Sequence, residues 1–138
     1  FSRRDSPGPD SCPGRAHRVR KDGIIAPGRS DYPSQVNNVL GFPFIVRGAL
    51  DVRARCINSE MQKAAVEGLR VLTHEPVLPD ILEAYKLQHL EFGPEYIIPK
   101  PFDPRIMDFV PPAVAQAAVD SGVARTGFPK HYKPAPPL

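Results

Sequence analysis

Asn37 and Asn38 stand side by side between a turn-rich run, Gly28-Arg29-Ser30-Asp31-Tyr32-Pro33, and an apolar one, residues 39–46. An asparagine side chain offers two donors and one acceptor without charge. That suits it to holding a carboxylate or a carboxamide. Asparagine is also a frequent helix N-cap, so Asn37 reads equally well as the residue that starts a helix. The other chemistry-bearing residues are more scattered. Cys12 and His17 are two ligand types at a loose spacing, short of a metal motif. Cys12 and Cys56 do not make a disulfide framework, and a reducing compartment suits them. Tyr96 and Lys100 place a phenol and an amine in one proline-rich segment. There is no GxGxxG, no P-loop and no order of Ser, His and Asp that suggests a nucleophile.

The elements that must position the asparagines follow from the pattern. Ile24 and Ile25 form the β-branched centre of a short buried strand expected at residues 23–26. Pro27-Gly28 ends it, because proline cannot donate to a ladder and glycine allows a sharp turn. A strand that runs into a Gly/Pro loop and then a buried helix is how open α/β sheets build ligand sites. Residues 44–51 read as that helix, with Arg47 and Arg53 in solvent or on a phosphate, solvent being the plainer reading. Residues 58–73 are the clearest helix. Met61, Ala64, Ala65, Gly68, Leu69 and Leu72 recur at helical spacing and make one apolar face. Asn58 or Ser59 caps it, and Glu60 falls where the helix dipole favours an acid.

A shorter helix is expected at residues 80–87, after Pro76 and Pro79. Pro94, Pro99, Pro101 and Pro104 then favour extended structure, with Tyr96-Ile97-Ile98 briefly extended. Asp103 is placed to cap a helix with Pro104 in its first turn. Residues 112–120 read as the last helix, with Ala113, Val114, Ala117 and Ala118 on its buried face and Gly122 closing it. Residues 129–138 hold four prolines and read as a disordered tail.

The run IIAPGRSDYPSQVNNVLGFPFIVRGALD resembles the nicotinamide-binding domain of bacterial malic enzymes. The resemblance continues through INSEMQKAAVEGLRVL, FGPEYIIPKPFDPRI and AVAQAAVDSGVAR, and so covers residues 16–125. It implies an α/β fold: the C-terminal portion of a Rossmann-like nicotinamide-binding domain, mostly helical with one or two short parallel strands. The chain then divides into a basic, loop-rich start at 1–23, the domain portion at 24–125 and a Pro-rich tail at 126–138. The implied reaction is oxidative decarboxylation of malate to pyruvate and CO2 with reduction of NADP or NAD. A divalent Mg or Mn ion would polarise the hydroxyl and the later enolate. The resemblance puts Asn38 on the substrate carboxylate with Asn37 beside it, and Ser6 and Asn38 by the cofactor. Where the family reads Asn-Pro-x-Pro-Glu, this chain has Ser6-Pro7-Gly8-Pro9-Asp10. The family's asparagine is therefore a serine here, and its acid is shortened.

The family's general-base lysine, tyrosine acid, three acidic metal ligands and glycine-rich phosphate loop have no counterpart in the chain. It opens at Phe1, which together with these gaps suggests a fragment without catalytic or metal-ligating residues of its own, inactive alone. The partners implied are malate and pyruvate, with a homo-oligomer and a cytoplasmic setting for the complete enzyme. The competing expectation is a non-catalytic binding or assembly module that keeps part of the malate and nicotinamide pocket.

Composition bounds these readings. A chain of 138 residues is enough for one domain and one core. At 41% hydrophobic and 24% charged residues, it has the balance of an ordinary globular protein. A net charge of +3 is weak support for a polyanion partner. Six Lys or Arg cluster in residues 1–23, but without aromatic interleaving or a nucleic-acid-binding signature, so no nucleic acid is expected. No apolar run reaches the roughly 18 residues of a membrane span, so no membrane partner is expected either.

Overall fold

The computed structural model describes Ile24 and residues 36–133. Ser6, Cys12, His17 and most of the strand expected at 23–26 lie outside the described residues. A 3-10 turn at Asn38–Leu40 leads into helix α1, Phe42–Asp51. Then come α2, Ser59–His74, the short α3, Pro79–Ala84, and α4, Ile106–Asp120. The described part is thus mostly helical, as expected. Its β pairing is an isolated antiparallel bridge between Gly93 and Tyr96. Ile24 is 57% exposed and lies in no strand. A parallel strand needs a neighbouring strand, and none lies among the described residues.

Helix α4 is the centre of the packing, with α1 and α2 laid against it. Ile106, Val110, Val114, Ala115 and Ala118 are all fully buried. α2 meets it through Met61, Ala65, Gly68 and Leu72, most of the apolar face read from the sequence. Glycine lets the helices close up. A Cβ on Gly68 would sit 3.1 Å from the Phe109 carbonyl, and one on Gly48 only 2.6 Å from the Pro111 carbonyl. Asn58 caps α2, its Oδ1 accepting from the Met61 N–H at 3.0 Å. Its amide also donates to Ser121 Oγ at 2.9 Å, which ties the start of α2 to the end of α4.

The last helix is longer than the prolines suggest. It starts at Ile106 and runs through Pro111 and Pro112 instead of beginning at residue 112. Proline has no N–H, so the Met107 and Asp108 carbonyls lose their usual donors. The burial of Ile106 and Val110, with both prolines themselves fully buried, outweighs that loss. Asp103 acts just ahead of the helix, where its fully buried carboxylate accepts from the Arg105 backbone N–H at 3.0 Å. The same carboxylate receives two bonds from the Arg105 guanidinium, at 3.0 and 2.7 Å. Arg105 reaches on to the Pro76 carbonyl at 2.8 Å and pins the α2–α3 loop. α3 ends earlier than expected, at Ala84, with Lys86 at φ 54° turning the chain away. Gly122 closes α4 at φ 72°. Val123 N–H reaches the Ala118 carbonyl at 3.1 Å and Gly122 N–H that of Val119 at 3.0 Å, the pattern of a Schellman cap.

After α4 the chain returns along the end of α1. Arg125 N–H donates to the Val52 carbonyl, and Arg55 N–H to that of Val123, each at 3.0 Å. Phe128 and Tyr132 pack on the core. Residues 129–133 are therefore part of the packed body and not a free tail; residues 134–138 lie outside the described residues. The tyrosine ring finds apolar surface, and its hydroxyl finds an acceptor in Asp51.

Candidate functional site

The two asparagines sit at the head of α1. Asn37 is extended, at φ −134° and ψ 146°, and its Oδ1 accepts from the Val39 N–H at 3.1 Å. Its oxygen thus performs the capping role that the sequence left open. Asn38 begins the turn, and its carbonyl accepts from the Gly41 N–H at 3.2 Å. Its carboxamide is exposed and makes no hydrogen bond among the described residues. Leu40, at 2% exposed, is the buried anchor that holds the turn to the core. An uncharged donor is therefore presented from a fixed turn beside a helix N-terminus, where the partial positive charge favours an anion.

A second polar cluster gathers on Asp51 at the other end of α1. Its Oδ2 accepts from Arg47 Nε at 2.8 Å and from the Tyr132 hydroxyl, with His131 Nε2 at 3.8 Å. Burial pushes the Asp51 carboxyl up, but the hydrogen bonds from Tyr132 and Arg47 hold it below its ordinary range. Burial, helped by the Asp51 charge, pushes the Tyr132 phenol up to about 12. Arg47, expected in solvent or on a phosphate, is an ion-pair partner here. The spacing of four between Arg47 and Asp51 is a helical pair signal available in the sequence. The reach from Tyr132 across the fold is not. Beside this cluster, Arg47, Met107, Asp108, Pro112 and His131 line a cleft of about 350 Å3. A wider one of about 540 Å3 lies along α2 and α4 between Ala64 and Ala117, rimmed by Glu60, Glu67 and Asp120. Neither cleft is lined by Asn37 or Asn38.

No family model matches the chain. The NADP-dependent malic enzyme of Halomonas elongata is 58% identical to it over 127 residues, 92% of this chain and 30% of that protein. The NADP-dependent malic enzyme of Salmonella typhimurium is 59% identical over 119 residues, 86% of this chain and 16% of that protein. The crystal structure of malic enzyme from Pyrococcus horikoshii Ot3 aligns with a TM-score of 0.65 at 42% identity, over 83% of this chain and 23% of that one. The chain belongs to the malic enzyme family. Its described part has the fold of the C-terminal portion of a Rossmann-like nicotinamide-binding domain. The chain spans 30% or less of the length of these curated relatives.

Within this malic enzyme segment, the remaining sequence candidates separate. Tyr96 is 1% exposed, and burial, with the Asp103 charge adding to it, pushes its phenol up to about 12. A buried phenol so reluctant to ionise is poorly matched to proton transfer near neutral pH. Lys100 lies over the Tyr85 ring at 5.1 Å, and burial lowers its pKa. Among the described residues, no group of three or more His, Cys, Asp or Glu is placed to hold a metal ion. These residues therefore do not fit the divalent ion that malic enzyme chemistry implies. Ser6 lies outside the described residues.

Proposed function

We propose that this chain supplies the C-terminal part of the nicotinamide-binding domain to a malic enzyme. That enzyme oxidises malate with NADP or NAD and releases pyruvate and CO2. The observation that carries the reading is the 58% identity over 127 residues to a malic enzyme. In this reading the Asn38 amide donates to a substrate carboxylate and orients the C2 hydrogen toward the nicotinamide. Asn37 holds the turn that presents Asn38, and its own amide faces the same ligand. Ser6 lies by the cofactor. A Mg or Mn ion takes its ligands from parts of the enzyme other than the residues described, so the 138 residues alone turn over no malate. The complete enzyme is a cytoplasmic homo-oligomer.

The test of the site is Asn38→Ala in a chimera. The matched residues of this chain replace their counterparts in the Halomonas elongata enzyme. A hydrogen bond to a charged group contributes roughly 1.5–3 kcal/mol, so kcat/KM for malate falls by about one to two powers of ten. Nucleotide affinity changes much less. A lowered melting temperature with an unchanged malate dependence would remove Asn38 from the site.

A further inference from the structure

Residues 52–55 and 123–126 lie side by side and run in opposite directions. Arg55 N–H donates to the Val123 carbonyl at 3.0 Å, and the Val52 carbonyl accepts from the N–H groups of Arg125 and Thr126 at 3.0 and 3.3 Å. That register sets Arg53 opposite Arg125, with Arg55 two residues along. Ala54 and Ala124 between them pack against the core, and all three arginines are exposed. Like charges opposite one another across such a crossing repel. Among the described residues, no acid forms an ion pair with any of the three. The acidic cleft of about 540 Å3 along α2 and α4 adjoins them. Ser121 lines that cleft and is tied to Asn58, with Arg55 three residues before Asn58 and Arg125 four after Ser121. Ile57, between Arg55 and Asn58, is 42% exposed, and Val66, beside the rim acid Glu67, is 67% exposed. At the rim, Glu60 accepts from Lys63, Glu67 from Arg70 and Asp120 from the uncharged Gln116 amide. A carboxylate has about four acceptor positions, so each acid has room for a further donor.

We propose that this surface joins two copies of the chain about a two-fold axis, the arginines of each copy entering the acidic cleft of the other. Two observations select a second copy as the occupant. The basic and acidic halves are neighbours, so a two-fold rotation lays each half over its opposite, the self-complementary arrangement of an isologous interface. The cleft also runs between Ala64 and Ala117 with acids at its rim. It therefore takes a side chain that is apolar along its stem and cationic at its tip, and a planar guanidinium matches the carboxylates at that rim. Exposed Ile57 and Val66 add apolar surface to the contact. The inference gives a surface to the homo-oligomer of the proposed function and does not rest on malate chemistry.

The experiment is sedimentation of the 138-residue chain over a concentration series. At low salt the chain shows a monomer–dimer equilibrium, which weakens as salt screens the charges. Arg55→Glu/Arg125→Glu and, separately, Glu67→Arg/Asp120→Arg each raise the dissociation constant by about tenfold or more. An equimolar mixture of the two reversed chains dimerises again, because each basic group then meets an acidic one. If a reversed chain fails to fold, Arg55→Gln/Arg125→Gln and Glu67→Gln/Asp120→Gln weaken the dimer in the same direction by less. A chain that is monomeric at every concentration would overturn the proposal. So would a dimer that neither substitution weakens, or two folded reversed chains that do not associate when mixed. Weakening by the acid substitutions alone would also overturn it, since the cleft would then belong to the six Lys or Arg of residues 1–23. Sedimentation reads this surface whether or not the chain serves a malic enzyme, so its outcome is separate from that of the functional reading.

Discussion

Gly48→Ala is a sharp test of how the three main helices are held. The added Cβ would lie 2.6 Å from the Pro111 carbonyl oxygen, 2.8 Å from Val114 Cβ and 3.0 Å from Val114 Cγ1. The first two are backbone and near-backbone atoms that cannot rotate away, so α1 must shift off α4. Overpacking of this kind costs about 1–3 kcal/mol. Alanine in place of glycine inside a helix returns about 1 kcal/mol. Contacts this short put the steric cost in the upper part of that range, about 2–3 kcal/mol, which leaves a net loss of about 1–2 kcal/mol. At roughly 3–5 °C per kcal/mol for a chain of this size, that is about 3–10 °C in melting temperature, read by circular dichroism at the helical minimum. Gly68→Ala is the internal control. Its Cβ would meet the Phe109 carbonyl at 3.1 Å and Val110 Cα at 3.3 Å, a misfit small enough for the helix-propensity gain to offset. An unchanged or raised melting temperature for Gly48→Ala would refute the account of α4 as a helix gripped at that crossing.

Three further outcomes follow from the structure. Asn58→Ala removes the cap on Met61 N–H and the tie to Ser121; it should cost about 1 kcal/mol, seen as a lower urea midpoint with the slope unchanged. Tyr132→Phe removes the hydroxyl donor to Asp51 and should cost about 1 kcal/mol near neutral pH. Because the Asp51 pKa is depressed in the folded chain, its stabilisation is present above the unfolded value of about 3.9 and is lost as pH falls through the lower folded value. The gap between wild type and Tyr132→Phe should therefore close below about pH 4 in an acid titration. The isolated chain should reduce neither NAD nor NADP with malate and Mn or Mg; turnover abolished by EDTA would contradict its proposed dependence on the rest of the enzyme.

The parts of the fold that the sequence exposes are those built on local signals. α2 is legible because its apolar period, its Asn58 cap and its first-turn Glu60 all agree. The Gly122 closure of α4 is legible for the same reason: a left-handed cap needs glycine. The start of α4 is hidden, because Pro111 and Pro112 argue locally against a helix and only burial among α1 and α2 reverses that. The packing of residues 129–133 is hidden too. The four prolines of residues 129–138 suggest a free tail, and the bond that holds the start of it joins Tyr132 to an aspartate 81 residues away. At the candidate site, residue type leaves the capping role of Asn37 as one of two readings, and the bond from the Val39 N–H to its side chain selects it. The exposure of the Asn38 amide needs the turn that Leu40 anchors.

The most direct measurement is malate-dependent reduction of NADP by the unsubstituted chimera, with the 127 matched residues in place of their Halomonas elongata counterparts. The account predicts turnover with a malate dependence close to that of the parent enzyme. A chimera that folds, melts like the parent and turns over no malate would contradict the claim that this segment serves a malic enzyme.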